Sequence, residues 1–432
     1  MARLPVTLRV YRGLSMALAP LAPMWINRRL KQNKEDPARS DERRGITRMA
    51  RPAGPLVWIH GASVGEVLAA AALIERLRGA GFRILLTSGT VTSADIVARR
   101  FPADIIHQYI PYDSPAFVAR FLAHWRPNLA LFIESDIWPN LVLQAAHRRL
   151  PMVLINGRMS QRSFPRWQKF SVTIGALLGR FDICLAQSDT DAERFAALGS
   201  PSVRVTGNLK LDVPAPPVDQ AKLDRLRNAT SGRPVIVASS THPGEEEILL
   251  ATHRMLAGLF PGLLTVIVPR HAHRGEAIAA MIAASGAQVA LRSRDETPTA
   301  ATDIYVADTM GELGLFYRLS PVVFMGGSMV PHGGQNPIEP VRLESAILHG
   351  PHVHNFTEPY GALDADGGAR AVADEDCLLA AVGELVADPH RLSAMARRGH
   401  AALLPFEGAV ARTLAVLEPY VAQMKLAARE RA

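Results

Sequence analysis

Along most of the chain, short, largely apolar, β-rich runs alternate with longer stretches in which apolar residues recur at every third or fourth position. The runs fall at 56–60, 83–87, 104–110, 129–134, 152–156, 182–187 and 203–207. A strand with one face in water alternates apolar and polar residues, so largely apolar runs predict strands buried on both faces. With helical segments between them, the pattern predicts a doubly wound parallel sheet. Residues 212–233 break the rhythm, with Pro214, Pro216 and Pro217 before a short charged helix and the turn Ser231-Gly232-Arg233-Pro234. Runs then resume at 235–239, 264–269, 288–291, 303–307, 322–326 and 346–350. The fold class is therefore α/β, with two Rossmann-like domains expected to face each other across a cleft and to bind ligands at their strand C-termini. The expected partition is a basic and apolar segment with a polar linker at 1–50, an N-terminal domain at 51–212, a linker at 213–233, a C-terminal domain at 234–405 and a helical tail at 406–432.

Charge changes this picture at one end only. The chain carries 48 basic and 40 acidic side chains, and the first 51 residues alone hold twelve of the former against four of the latter. The remainder is balanced, so the excess positive charge is an N-terminal feature. Inside that arm, residues 13–27 are uncharged and include Leu14, Met16, Leu18, Leu21, Met24, Trp25 and Ile26, with prolines at 20 and 23. A membrane-spanning helix needs about 20 apolar residues, so a short Arg-flanked wedge fits a segment lying in an anionic membrane surface. A buried helical hairpin is the soluble alternative, and a secretory signal lacks a small-residue cleavage site before Arg28. Nucleic acid is not an expected partner, because aromatic residues are only 6% of the chain and no RNA- or DNA-binding motif is present. Cys184 and Cys377 lie too far apart in sequence to suggest a disulfide framework or a zinc site, and imply a reducing, cytoplasmic setting.

The turns after the strands carry the candidate chemistry. His60-Gly61-Ala62-Ser63-Val64-Gly65-Glu66 has three readings: a G-x-S-x-G nucleophile elbow at Ser63, a capping box between Ser63 and Glu66, and a general base, Glu66, at a strand-to-helix turn. No histidine stands in a recognisable triad order for the first reading. The second and third are compatible, since a helix N-terminus keeps a carboxylate ionised. Glu134 closes another buried run and opens Glu134-Ser135-Asp136-Ile137-Trp138-Pro139-Asn140, so it needs a partner or a function. Lys210, in Gly207-Asn208-Leu209-Lys210, is either an exposed hinge lysine or a group that steadies a leaving group's charge. In the second half, Pro269-Arg270-His271 offers a guanidinium suited to phosphate. Asp308-Thr309-Met310-Gly311-Glu312 and Gly333-Gly334-Gln335-Asn336-Pro337-Ile338-Glu339 supply Gly-rich turns. The second reads as an Asn336 cap, Pro337 at N1 and Glu339 at N3, with free amides for a phosphate. His271 and His273 without a paired acid or cysteine make a metal site an unfavoured reading.

Taken in order, these segments together with Asn156-Gly157-Arg158 resemble the 3-deoxy-D-manno-octulosonic acid (Kdo) transferases of lipopolysaccharide synthesis, and the resemblance covers nearly the whole chain. It implies a GT-B glycosyltransferase fold, an acceptor-binding N-terminal domain and a CMP-Kdo-binding C-terminal domain. It implies Glu66 as general base, with Glu134 and Lys210 at positions assigned to transition-state stabilisation. Pro269 and Arg270, Met310, Gly311 and Glu312, and Asn336, Pro337, Ile338 and Glu339 would contact CMP. The implied reaction inverts the anomeric carbon and needs neither metal nor cofactor. Its acceptor is the lipid A precursor at the cytoplasmic face of the inner membrane. Gln335 stands where the family often has His, and Ser135-Asp136 where Thr-Glu is usual. The rival reading is another GT-B nucleotide-sugar transferase or a UDP-sugar epimerase.

Overall fold

A computed structural model describes residues 4–32, 34–212 and 215–429. They form two compact units, one built from the chain up to Asp212 and again from Gly408, the other from the chain between. The first unit contains strands β1 (Leu56–His60), β2 (Arg83–Ser88), β3 (Ile106–Tyr109), β4 (Leu129–Ile133), β5 (Met152–Gly157), β6 (Ile183–Ala186) and β7 (Val203–Val205). They make one parallel sheet in the order β3-β2-β1-β4-β5-β6-β7. Strand order reverses between β1 and β4, so their connections leave in opposite directions and open a crevice at the strand C-termini.

Every residue of β1 and β4 is buried. Successive side chains point to opposite faces, so one run feeds two cores. Trp58 and Phe132 join Leu8, Val118, Phe121 and Leu141 on one side. Val57, Ile59 and Leu131 join Val67, Leu73, Ile74 and Leu417 on the other.

Three expected boundaries shift. The segment 31–51, read as a polar linker, contains a 3-10 helix, Pro37–Arg44, fixed to the C-terminal ends of β2 and β3. The buried Arg43 pairs with buried Glu35 at 2.8 Å and donates to the carbonyls of Gly89 and Ile110 at 2.7 and 3.1 Å. Charged residues look like a solvated linker in sequence, but this pair is internal and saturated with bonds. The tail also belongs to the first unit: helix Ala409–Arg429 buries Leu417 and Met424 in its core. The carboxylate of Asp212 accepts from the N–H groups of Gly408 and Val410 at 3.1 and 2.7 Å and pins the returning chain. Of the linker 213–233, Val213 and Pro214 lie outside the described residues. The helix Gln220–Ala229 is an integral part of the second unit through buried Leu223 and Leu226.

The second unit carries β8 (Val235–Thr241), β9 (Leu264–Pro269), β10 (Val289–Leu291), β11 (Ile304–Val306), β12 (Val322–Met325), β13 (Ala346–His349) and β14 (Ala369–Ala371). This sheet is also parallel, ordered β10-β11-β9-β8-β12-β13-β14. Strand β14 is an addition to the expected six: three residues with Arg370 at their centre carry too little apolar pattern to register. Among the described residues, no helix is long and apolar enough to cross a membrane.

Candidate functional site

In the first unit the site is built on the switch point between β1 and β4. After His60 the chain turns at Gly61, where a Cβ would stand 3.1 Å from both the Glu66 Cβ and the Ile133 Cδ1. A side chain here would press on both, and glycine lets the following helix, Val64–Ala69, begin this close to the strand. Ser63 caps that helix, accepting from the Glu66 N–H at 3.4 Å. Glu66 answers with both carboxylate oxygens: Oε1 accepts from the Ser63 hydroxyl at 2.8 Å and Oε2 from the Ala62 N–H at 2.8 Å. The reciprocal bond thus reaches one residue earlier than in the usual capping box. Ser63 is engaged by a carboxylate rather than by a histidine, which removes the basis for the nucleophile-elbow reading. Burial raises the pKa of Glu66. The bonds from Ser63 and Ala62 oppose that rise, while the charges of Glu134 and Asp136 add to it.

Glu134 follows β4 in a left-handed conformation, φ 62°. Its N–H is held by the Ile155 carbonyl at 2.9 Å. Lys210 Nζ lies 2.5 Å from Glu134 Oε1, an ion-pair contact whose angles do not make a hydrogen bond. The loop carrying Lys210 is positioned by Asn156, itself left-handed at φ 52°: its buried Oδ1 accepts from the Leu209 N–H at 2.8 Å. Buried His60 completes the cluster, with Nδ1 3.0 Å from Thr87 Oγ1 and Nε2 3.1 Å from Asp136 Oδ2. Burial pushes the Asp136 carboxyl up, but the His60 bond and charge and a bond from Trp138 leave it below its ordinary value. The charge of Glu134 acts on Glu66 and its carboxylate meets Lys210, so the three side chains are neighbours, although Lys210 arrives on the loop after β7, three strands along from β4.

In the second unit the singled-out residues hang from β11, β9 and β12, which with β8 are consecutive in the sheet. Arg270 is exposed, with its N–H on the Thr241 carbonyl at 3.0 Å. Met310 is 71% exposed, and Gly311 turns at φ 83°. Glu312 is already matched within the unit. It accepts two bonds from Arg292, at 3.0 and 3.1 Å, and others from Lys222 at 2.7 Å and from the Thr309 hydroxyl. Led by the Arg292 bonds, these hold its pKa down at about 2. The expected helix start at Asn336 is shorter than its sequence suggests. Only Ile338–Val341 is helical, and the Asn336 Oδ1 accepts from the Ile338 N–H at 3.1 Å. Pro337 and Ile338 are buried and offer a ligand main-chain atoms only. Burial raises the Glu339 carboxyl, against a bond from Asn336.

Two features escaped sequence reading. Buried Glu245 spans the β8/β12 switch point: Oε2 accepts from the N–H groups of His242 and Gly327 at 2.9 and 2.7 Å, and Oε1 from those of Ser328 and Met329, both at 3.0 Å. In sequence it is one of three glutamates in a helix's first turn, which a helix dipole explains on its own. Around it, the ring of His242 lies 3.8 Å from that of His332 and 6.1 Å from that of His271, and its Nε2 is 3.2 Å from Gln335 Nε2. Burial, then the neighbouring His332, His271 and Arg270, lower His242 to about 4. Among the described residues, no group of three or more His, Cys, Asp or Glu is arranged to hold a metal ion.

Two parallel α/β units with their chemistry at the strand ends define a GT-B-type protein. The fold is similar to that of a glycosyltransferase from Rickettsia africae, at 11% identity over 86% of this chain and 99% of that one with a TM-score of 0.55. It is also similar to UDP-GlcNAc 2-epimerase from Neisseria meningitidis, at 16% identity over 84% and 100% with a TM-score of 0.53. These likenesses show the fold and leave transferase and epimerase unseparated. Sequence separates them. Residues 38–213 match the family profile described as 3-deoxy-D-manno-octulosonic-acid transferase (kdotransferase). The 3-deoxy-D-manno-octulosonic acid transferase of Haemophilus influenzae is 35% identical over 371 residues, 84% of this chain and 87% of that one. The chain belongs to the Kdo transferase family, and it is an enzyme of that class.

Proposed function

We propose that the chain transfers Kdo from CMP-Kdo to the lipid A precursor, with inversion at the anomeric carbon, at the cytoplasmic face of the inner membrane. The observation that carries this reading is the Glu66 carboxylate, oriented by two donors and raised in pKa, in the same unit as the Glu134–Lys210 pair. An acceptor hydroxyl is a poor nucleophile until it loses its proton, and a base whose pKa is raised toward neutrality removes it more effectively. The acceptor oxygen bonds to the anomeric carbon as the bond from that carbon to the CMP phosphate oxygen breaks. The hydroxyl proton passes to Glu66, and the electron pair leaves on CMP. Glu134 and Lys210 are assigned to stabilising charge in the transition state.

The second unit is assigned the donor. Pro269, Arg270, the main chain at 310–312 and the helix start at 336–339 would meet CMP. Glu312, already neutralised by Arg292 and Lys222, would shape the turn rather than contribute net charge. No step in this scheme requires a metal or a cofactor. Titration calorimetry with CMP and with UDP tests the donor assignment: preference for CMP supports it, and preference for UDP overturns it.

The membrane assignment draws on exposed Leu14, Met16, Leu18, Leu21, Met24 and Trp25. They adjoin an apolar pocket of about 470 Å³ lined by residues including Leu18, Leu21, Trp25 and Phe117. Large apolar side chains gathered in water mark a contact surface. Deleting the arm would also strip Leu8 and Ile26 from buried positions. The suitable variant is therefore Leu21→Ser/Met24→Ser/Trp25→Ser, which should lose flotation with liposomes; retained flotation would refute the placement.

A further inference from the structure

A second pocket, of about 770 Å³, lies on the first unit, away from the β1 and β4 turns. Its walls include Leu4, Arg9 and Arg12 beside and along helix Val6–Leu18, Leu143 and His147 from helix Pro139–His147, and Arg180 before β6. No carboxylate is among the residues that line it. Arg9 and Arg12 form no ion pair among the described residues. Arg180 is half-buried and spends one N–H on the Ala176 carbonyl, and burial works against its charge. Three guanidinium groups that form no ion pair among the described residues thus line one pocket, and a guanidinium can grip an oxyanion with paired N–H groups.

The position of the pocket separates it from the reacting turns. Ser15 is bonded to Asn140 at 2.8 Å, and Asn140 is at the start of helix Pro139–His147, next to the Glu134 turn. The residues of that helix that line the pocket, Leu143 to His147, lie one to two turns beyond Asn140, roughly 5–11 Å along it at 1.5 Å per residue. Its surroundings are apolar and face outward. Val6, Val10 and Leu14, spaced by four, form one stripe of helix Val6–Leu18 and are 62%, 54% and 58% exposed. Exposed Phe170 and Val172 extend this face, which a 2.6 Å bond between the Thr7 and Thr173 hydroxyls ties together. A helix with its apolar stripe in water and arginines on its flank has the pattern of one lying in a lipid interface.

We propose that this pocket holds the phosphate of an anionic glycerophospholipid, with acyl chains beside Val6, Val10 and Leu14, as a lipid site separate from that of the acceptor. The proposal rests on the membrane placement above and adds a built headgroup site to it. The experiment is sedimentation of the full chain with vesicles of phosphatidylcholine alone and of phosphatidylcholine containing a fifth phosphatidylglycerol, at one ionic strength. The wild type should bind the anionic vesicles more tightly. Arg9→Gln/Arg12→Gln should lose roughly tenfold or more of that affinity, at two arginines' worth of surface attraction. The charge-matched control Arg28→Gln/Lys31→Gln, on the same membrane-facing arm, reports the diffuse attraction alone and should lose at least about threefold less than the pocket variant, with circular dichroism confirming both folds. Equal losses would reduce the effect to diffuse electrostatics and overturn the pocket while leaving the membrane placement standing. Release from the vesicles by inorganic phosphate at constant ionic strength would make it a free-phosphate site and overturn the lipid assignment. Binding of wild type to neither vesicle would overturn both.

Discussion

Glu66→Gln is the most direct perturbation of the proposed chemistry, and the structure indicates what it would cost. The carboxylate accepts two bonds, from the Ser63 hydroxyl and from the Ala62 N–H, both at 2.8 Å. A glutamine keeps the shape and one acceptor oxygen, which can stay on Ala62. Its NH₂ then faces Ser63, whose hydroxyl can reverse and accept. The loss is two charge-assisted bonds becoming neutral, about 1–2 kcal/mol against the cap. Burial raises the pKa of Glu66, so the folded state penalises the ionised side chain at pH values above that raised pKa. Removing the charge lifts this penalty and opposes the bond loss, so thermal stability should change by about 1 kcal/mol or less. Activity should respond very differently. Loss of a general base removes about 10²–10⁴ in rate, or roughly 3–5 kcal/mol of transition-state stabilisation. The assay is initial-rate transfer to detergent-solubilised acceptor, alongside CMP calorimetry and a melting curve. Unchanged CMP affinity and melting with transfer reduced at least a hundredfold is the expected result. Transfer within about threefold of wild type would refute Glu66 as the base. The wild-type rate should also rise with pH through a pKa above that of an ordinary glutamate, since only ionised Glu66 accepts the proton, and the variant should lose that limb.

Glu134→Gln and Lys210→Met should each lower the transfer rate, and the double variant should be little worse than the more damaging single one, because the two side chains act as a pair; full additivity of the two losses would contradict this. Glu245→Gln turns an NH₂ group toward N–H groups that now meet a carboxylate, and should cost about 3–5 kcal/mol of the second unit's stability by calorimetry; a loss under about 1 kcal/mol would deny its role. His242 is lowered from 6.5 to about 4, so the unfolded chain takes up its proton first as pH falls. Its contribution to stability is complete above 6.5 and disappears as pH falls through that window, and His242→Gln should flatten the stability profile there. Resonances of a His242 imidazole titrating near 6.5 would contradict that reading.

The fold was largely legible because strands buried on both faces write themselves as largely apolar runs. The turn at Glu66 was legible for a related reason: Gly61, Ser63 and Glu66 each have a local backbone task, and local tasks leave local spacing. What stayed hidden depends on long-range pairing. Glu35 and Arg43 read as two charges in a polar stretch, yet fold into a buried ion pair beneath the ends of β2 and β3. The carboxylate of Glu245 bonds main-chain groups more than 80 residues away. Asp212 likewise fastens a helix start near residue 408 that looked like the beginning of a loose tail. His242 and His332 are 90 residues apart in sequence, and only the adjacency of β8 and β12 brings their rings into contact. The Asn336 turn shows the converse: a strong local helix-start signal covers a single helical turn, and the chain then turns left-handed at Glu344, φ 60°.

Mass spectrometry of the lipid A precursor after incubation with CMP-Kdo and enzyme tests the central claim most directly. The account predicts a mass gain of whole Kdo units with the wild type and none with Glu66→Gln at matched CMP occupancy. An unmodified acceptor with folded, CMP-bound wild type, or equal product from the variant, would contradict it.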